Sequence, residues 1–367
     1  MQEEIIIAPD NQHTEINIIA IVKNDISIKR MIDTFSIVAN RFFILDTGST
    51  DETLTVIQDL VFNDKMPIVL FERPFENFVY SKNFILNKAH IYLKNHIDKK
   101  QIIIFVNADE FLNNDVYMWK DELKNIQHNQ VFNINIKDTI NETITSENRI
   151  WVYNPSKPLF FNGPFVYEYL DTVDYQIIDS DLEIYHRKNS NEDVNVKLDL
   201  HIELLNKYIE WNNNQDPNWM RAMFYLGQTY KDKGDSNKAI ELWETYLMNY
   251  NHQYNNSSER FIVAYNIAQE YYSKGFIQFA MNWVIKSISE YQDTTCFRRE
   301  PYLILYSIHF SQYWNSKDEL QKIVNNIDVV INTESNPQTT TMYVNPQINF
   351  YLEELKKQVI ERIEQIS

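Results

Sequence analysis

The stretch that decides the fold reads Phe42-Phe43-Ile44-Leu45-Asp46-Thr47-Gly48-Ser49-Thr50-Asp51-Glu52-Thr53. Its apolar residues 42–45 predict a short strand, and the following residues 53–60 predict a helix. Gly48 is free to take a positive φ in the turn between them, while Ser49 and Glu52 have the spacing of a capping box. Asp46 is therefore expected at the carboxyl end of a strand, the edge where open α/β sheets bind ligands.

Two interpretations of this turn stay open. Helix capping alone explains Ser49, Thr50 and Glu52. Capping does not require a carboxylate three residues before the cap, so Asp46 is predicted to reach the hydroxyls or base N–H groups of a ligand.

A second strand followed by polar residues appears about fifty residues later. The apolar run Ile102–Val106 is typical of a strand buried on both faces of a parallel sheet. Asn107-Ala108-Asp109-Glu110 follows it, which places Asp109 and Glu110 at the exposed end of the strand. Oxygen ligands of this kind suit Mg²⁺ or Mn²⁺ bridging a diphosphate. On its own this short motif is a weak indication of a metal site.

Composition favours a two-domain enzyme and excludes some partners. A chain of 367 residues with 44% apolar residues is long enough for more than one core. Its formal charge of −17 argues against nucleic acid and anionic membranes as partners. A basic acceptor peptide is compatible with that charge.

The same sequence predicts a cytoplasmic location. Cys296 is the single cysteine, so an intrachain disulfide is excluded and a reducing compartment is the simpler interpretation; a buried or incidental thiol explains this residue. Neither a signal peptide nor an integral membrane segment is predicted. The glycosylation-like triplets at Asn141, Asn255 and Asn256 are therefore not expected to be used.

Periodicity divides the chain into two parts. Short apolar runs alternate with amphipathic stretches in the N-terminal half, as in βαβ units; the helical face after Ser27 is made of Ile28, Met31, Ile32, Phe35 and Val38. Further strands are expected between 131 and 186. We predict a first domain at 1–190, a linker helix with a polar connection at 191–217, and a helical domain at 218–367.

The helical part contains a repeat. Leu226-Gly227-x-x-Tyr230, Gly234, Ala239 and Trp243 recur 41 residues later as Ile267-Ala268-x-x-Tyr271, Gly275, Ala280 and Val284. Small residues allow two helices to pack closely and glycine supplies the turn, which is tetratricopeptide-like. A third repeat is expected at 302–314. A terminal stripe from Ile348 to Ile366 is predicted to pack in the helical core, with capping of the array or contact with a second subunit as the alternatives.

Six segments, in this order, resemble glycosyltransferase family 2, the inverting enzymes of the GT-A fold, and in particular the branch with a C-terminal tetratricopeptide-like region that includes bacteriocin peptide glycosyltransferases. They are Ile19–Asp25, Ile44–Asp51, Phe78–Asn83, Val106–Glu110, Gly163–Glu168 and Glu183–His186. The resemblance implies an α/β fold with a Rossmann-like GT-A nucleotide-diphospho-sugar transferase domain, followed by an all-α tetratricopeptide-like domain.

The resemblance also implies roles for individual residues. The donor, a UDP-sugar in most of the family, would be bound by Val22, Asn24, Asp46, Lys82 and Asn107. Asp109 and His186 would hold Mn²⁺ or Mg²⁺, and Glu168 would be the catalytic base. The acceptor would be a hydroxyl or thiol on a glycan or peptide. A surface or salt-bridged Glu168 and a packed or hydrogen-bonded His186 are the structural alternatives.

The chain departs from the family pattern at three positions. Asn107 stands where the family has Asp, Lys82 where it has Arg, and Tyr167 where it has His before the Glu. Metal binding then depends mainly on Asp109, Lys82 keeps a point charge without a bidentate fork, and Glu168 is favoured as base over Tyr167.

Two other classes remain open. The chain could be a catalytically inactive glycosyltransferase-like protein that serves as a peptide-binding scaffold, since Asn107 and Tyr167 weaken the enzyme prediction. A nucleotidyltransferase is disfavoured because it would require a glycine-rich phosphate loop, and the chain has five glycines in total.

Overall fold

The computed structural model describes residues 14–64, 66–113, 116–140, 144–187, 194–212, 217–249, 257–290, 297–334, 345 and 347–366. Cys296 and the glycosylation-like asparagines 141, 255 and 256 lie outside these ranges. The chain divides into two compact units, Met1–Lys197 and Leu198–Ser367. A helix at Val194–Asn212 lies within the range 191–217 that the sequence predicts as a linker, and all but its first four residues belong to the second unit.

The first unit is built on a mixed sheet. Its strands are β1 (Glu15–Val22), β2 (Arg41–Asp46), β3 (Ile68–Glu72), β4 (Gln101–Asn107), β5 (Glu110–Phe111), β6 (Gln130–Asp138), β7 (Ile144–Val152) and β10 (Gln176–His186), with a separate hairpin of β8 (Phe161–Asn162) and β9 (Tyr169–Leu170). The order across the sheet is β3-β2-β1-β4-β7-β6-β10-β5. The first four strands in this order are parallel, as the βαβ rhythm predicts.

Helices cover both faces of the sheet. They are α1 (Ile28–Phe35), α2 (Thr53–Phe62), α3 (Phe78–Leu93) and α4 (Val116–Asn125). Strand β4 is buried on both faces, as predicted: Ile102, Ile104 and Val106 pack into the core with α1 and α2. Ile103 and Phe105 pack into the opposite core with α3. Alternation of side chains along a strand accounts for this division.

The second unit is helical. Its described helices are α5 (Val194–Asn212), α6 (Pro217–Asp232), α7 (Ser236–Met248), α8 (Ser257–Ser273), α9 (Ile277–Glu290), α10 (Glu300–Gln312), α11 (Lys317–Asn332) and α12 (Ile348–Gln365). The predicted repeats correspond to the helix pairs α6–α7 and α8–α9, and their turns contain Gly234 and Gly275 with positive φ of 89° and 78°. A third pair, α10–α11, follows. An α/β unit followed by tetratricopeptide-like helix pairs confirms the predicted fold class.

Packing inside the helix pairs explains the small residues. A Cβ at Gly227 would lie 2.3 Å from Trp243 Nε1, so only glycine allows α6 and α7 this close. The C-terminal stripe packs within the same chain, where Ile348, Leu352 and Leu355 join the core formed with α10 and α11. Among the described residues, no helix combines the length and apolar character that a membrane span requires.

Candidate active site

Three strand ends meet at one edge of the sheet. In register, Val22 of β1 pairs with Asp46 of β2, and Ile21 of β1 pairs with Asn107 of β4. Because all three strands are parallel, the turns that follow them lie side by side. The structure therefore brings together Val22, Asn24, Asp46 and Asn107, four of the five residues predicted to bind the donor.

The carboxylate of Asp46 holds its own turn in place. Its Oδ1 accepts hydrogen bonds from Gly48 N at 2.8 Å and Ser49 N at 2.9 Å, while Gly48 has the expected positive φ of 98°. Thr47 N donates to Val22 O at 2.9 Å, which ties this turn to β1. Asp46 is 1% exposed, and its Oδ2 is buried without a hydrogen-bond partner among the described residues.

The turn after β1 is joined to the turn after β2. Asn24 has φ of 49°, in the left-handed region that Asn tolerates better than most residues. Its N–H donates to Ser49 Oγ at 2.9 Å, and its Oδ1 accepts from Thr50 N at 2.7 Å. The predicted capping box is therefore wrong. Glu52 occupies the N-cap position of α2 without a side-chain cap, because the Ser49 hydroxyl accepts from Asn24 instead.

The turn after β4 contains two carboxylates that face different environments. Glu110 is 1% exposed and accepts from Asn107 N and Asn107 Nδ2, each at 2.7 Å. The sequence predicted Glu110 at the exposed end of the strand, and this is wrong because the side chain turns inward to hold the turn. Asp109 is one-quarter exposed.

Asp109 lies beside His186, the other residue predicted to be a metal ligand. Its Oδ2 is 2.7 Å from His186 Nε2, and Asp138 Oδ2 lies 3.7 Å from His186 Nδ1. The hydrogen bond to Asp109 raises the pKa of His186, with the charges of Asp109, Glu110 and Asp138 acting in the same direction against the effect of burial. Residues 77 positions apart are thus brought into one polar cluster.

The donor set suits a cation shared with a ligand better than one held by protein alone. Across the ranges that the structure describes, no group of three or more His, Cys, Asp or Glu side chains is arranged to hold a metal ion. A magnesium-like ion that bridges substrate phosphates typically uses one or two carboxylates and keeps several waters. Asp109 with His186 fits that smaller requirement.

Lys82 and Glu168 form a nearly buried ion pair. Lys82 Nζ lies 2.6 Å from Glu168 Oε1, and each side chain is 10% exposed. The sequence assigned these residues separate roles, at the donor and as the base. Tyr167, directly before Glu168, has φ of 66°, a left-handed conformation that is uncommon for a bulky residue and often marks a functional site.

Arg149 is a central residue that the sequence analysis missed. Its Nη2 lies 2.7 Å from Glu147 Oε2 and 3.5 Å from Glu110 Oε1, and its Nη1 donates to Phe105 O at 3.3 Å. Burial opposes the charged form, but Glu110 and Glu147 raise the pKa of Arg149 above its usual range. In turn, the charge of Arg149 lowers the pKa of Glu147, and Lys82 and His186 contribute to the same effect. The Lys82–Glu168 pair, the Arg149–Glu147 pair and His186 are therefore close enough to interact electrostatically.

One signal could have identified this pair. Glu147 and Arg149 are two residues apart on β7, so they share a face of the strand. An Arg at the start of an otherwise apolar run requires a buried partner.

Comparisons with known proteins give similarity only to solved structures. No family model matches the sequence, and no curated protein matches it significantly. The chain is similar to S. aureus TarS 1-349 in complex with UDP-GlcNAc, with 12% identity and a TM-score of 0.37 over 84% of this chain and 92% of that chain. The chain is also similar to TarS 1-349 in complex with UDP, with 11% identity and a TM-score of 0.34 over 76% of this chain and 89% of that chain.

A second kind of structure matches a smaller part of the chain. The Podosopora anserina putative kinesin light chain, with nearly identical TPR-like repeats, is 15% identical with a TM-score of 0.30 over 47% of this chain and 88% of that chain. All of these TM-scores are below 0.4, so none of the similarities identifies a function.

Proposed function

We propose that this protein is an inverting glycosyltransferase that moves a sugar from a nucleotide-diphosphate donor, a UDP-sugar, to a hydroxyl or thiol of a glycan or peptide. The proposal is supported by the position of three turns in the α/β unit. The turns after β1, β2 and β4 meet in register at the carboxyl edge of the sheet, the position where α/β sheets bind nucleotides.

The donor side of the site is formed by the first two turns. Asn24 and Asp46, with the end of β1 at Val22, would hold the base and ribose. The buried Oδ2 of Asp46 supports this role, since an unpaired carboxylate oxygen is unfavourable and an N–H donor from a ligand would satisfy it. The Asn107 amide nitrogen donates to Glu110, so its amide oxygen is the atom available to the ribose.

The diphosphate side is formed by Asp109 and His186, which would hold Mn²⁺ or Mg²⁺. When bound, such a cation supplies positive charge that stabilises the departing diphosphate. His186 would have to be neutral to act as a ligand. The hydrogen bond to Asp109 raises the pKa of His186, so a proton and a cation would exclude each other at this residue.

Glu168 is the proposed general base. An ionised carboxylate accepts the proton of the acceptor O–H or S–H, and the freed lone pair forms the bond to the anomeric carbon. The bond from that carbon to the diphosphate oxygen breaks on the opposite face, so the configuration inverts. Glu168 suits this task because its ion pair with Lys82, at 2.6 Å, holds the carboxylate in place.

Hydrolysis of nucleotide sugars tests the proposal without knowledge of the acceptor. Water replaces the acceptor in a panel of UDP-, GDP- and other activated sugars incubated with Mn²⁺ or Mg²⁺, and free nucleotide diphosphate is measured. We expect release from at least one UDP-sugar, together with thermal stabilisation by UDP and Mn²⁺. Neither release nor stabilisation by any nucleotide would overturn the proposal.

A second candidate function, a peptide-binding scaffold without turnover, is favoured by one feature of the helical unit. A cavity of about 590 Å³ there is lined by α8, α10 and α12 together with Lys231. Tyr265, Gln269 and Glu270 give it the mixture of aromatic and hydrogen-bonding groups that is typical of ligand pockets. Absence of nucleotide hydrolysis and of nucleotide stabilisation would favour this candidate.

A further inference from the structure

Helix α3 fixes the loop that contains Glu168. Asn83 Nδ2 donates to Phe161 O at 2.9 Å, and Asn83 Oδ1 accepts from Phe161 N at 2.7 Å. This side chain therefore holds both main-chain groups of the first residue of the β8–β9 hairpin. Phe78 N donates to Phe165 O at 3.2 Å within the hairpin loop. These three hydrogen bonds tie the hairpin, which contains Glu168, to α3, which contains Lys82.

The ammonium of Lys82 is surrounded by groups that fix its position. Its Nζ lies 2.6 Å from Glu168 Oε1, 4.9 Å from the centre of the Phe105 ring and 4.7 Å from the centre of the Phe161 ring. These two rings pack edge to face, with centroids 4.9 Å apart. Cation–π attraction and a charge-assisted hydrogen bond therefore act on the same ammonium.

We propose that Lys82 is a positioning residue that acts through Glu168, holding the carboxylate in one orientation, instead of binding the donor diphosphate. The proposal rests on the proposed role of Glu168 as general base. It changes the role that the family resemblance implied for Lys82.

Burial of charge decides between the two roles of Lys82, which are binding the donor diphosphate and positioning Glu168. To bind a phosphate, its ammonium would have to leave Glu168 and the two rings, and the carboxylate would remain nearly buried without its partner. Breaking a buried pair in this way is strongly unfavourable. Arg149 does not replace Lys82 as a partner because its guanidinium is engaged with Glu147 and Glu110. Lys82 therefore stays paired with Glu168, the proposed base.

A double-mutant cycle tests this coupling in the full-length protein. The variants are Lys82→Met, Glu168→Gln and the double variant, each measured for UDP-sugar hydrolysis and for the Kd of UDP with Mn²⁺. We expect each single variant to lower kcat by about 10²-fold or more and to leave the Kd of UDP and the KM of the donor unchanged. The double variant should lose no more activity than Glu168→Gln alone, since coupled residues are not additive.

Two further variants complete the design. Lys82→Arg keeps the charge and should recover part of kcat. Lys88→Met removes a positive charge from the same helix, where Lys88 faces the rings of Phe71 and Phe84, and should behave as wild type. Thermal melting identifies a folding defect, which the double variant should relieve because neither partner is left unpaired.

Two results would overturn the inference and leave the proposed function standing. Lys82→Met could weaken UDP binding with kcat unchanged, or the losses in the double variant could be additive. Failure of the wild-type protein to bind UDP or to hydrolyse any donor would instead contradict the proposed function.

Discussion

His186 shows how one side chain can depend on the carboxylates around it. It contacts Asp109 at 2.7 Å and lies 3.7 Å from Asp138, and strand pairing places it opposite Glu110 on β5 and Asp138 on β6. A protonated imidazole is stabilised in this position, whereas a bound cation requires the neutral form. The proton and the cation are therefore expected to compete at this residue.

The pH dependence of stability in metal-free protein reports this proton. Because the hydrogen bond to Asp109 raises the pKa of His186, its contribution to stability is fully present below the unfolded pKa of about 6.5. It is lost as pH rises through the folded pKa. The Tm difference between wild type and His186→Gln should be largest at about pH 5.5 and smallest at about pH 8.5. A difference that stays constant, or grows with pH, would show that His186 is not protonated in this way.

Residues of one turn could not all be assigned from the sequence. Asp109 and Glu110 are adjacent carboxylates, and the sequence places both after a buried strand. Glu110 turns inward because Asn107 and the distant Arg149 supply its partners, and such a partner 39 residues away leaves no local pattern. The meeting of Asp109 with His186 was predicted through the family resemblance.

At the scale of elements, apolar runs were sufficient to predict the central strands. Phe42–Leu45 and Ile102–Val106 each lie within an observed strand, because four or five apolar residues between polar turns suit a buried strand better than a longer helix. The capping of α2 could not be predicted, because Ser49 bonds to Asn24 on a neighbouring strand end. Competition between local and distant hydrogen bonds decided that outcome.

Close packing of α6 and α7 gives a prediction about stability. In Gly227→Ala, the added Cβ would lie 2.3 Å from Trp243 Nε1, and Trp243 is fully buried and donates to Phe224 O. We expect a loss of about 1–3 kcal/mol in the free energy of unfolding, measured by denaturant titration. The Gly227→Ala/Trp243→Phe double variant should lose less than the two single losses combined, because the smaller ring relieves the clash. Unchanged stability in Gly227→Ala would contradict the close packing.

For the whole molecule, net charge limits how an anionic donor can bind. The chain has a formal charge of −17, and two buried cations of the site, Lys82 and Arg149, are each paired with carboxylates. A bound divalent cation is therefore the group expected to balance the diphosphate, and Asp109 is the side chain expected to recruit it. Composition and periodicity predicted the two-part organisation, while the pairing of these charges depends on contacts across the fold.

Calorimetric titration of UDP with and without Mn²⁺ tests the proposed nucleotide site most directly. Wild-type protein should bind UDP in the presence of Mn²⁺, and Asp109→Ala should abolish this cation-dependent binding. Asp33→Ala is the matched control, because it removes the same charge from an exposed ion pair with Lys29 on α1, and it should bind as wild type does. Equal UDP affinity in wild type and Asp109→Ala would contradict a cation-dependent nucleotide site at this edge of the sheet.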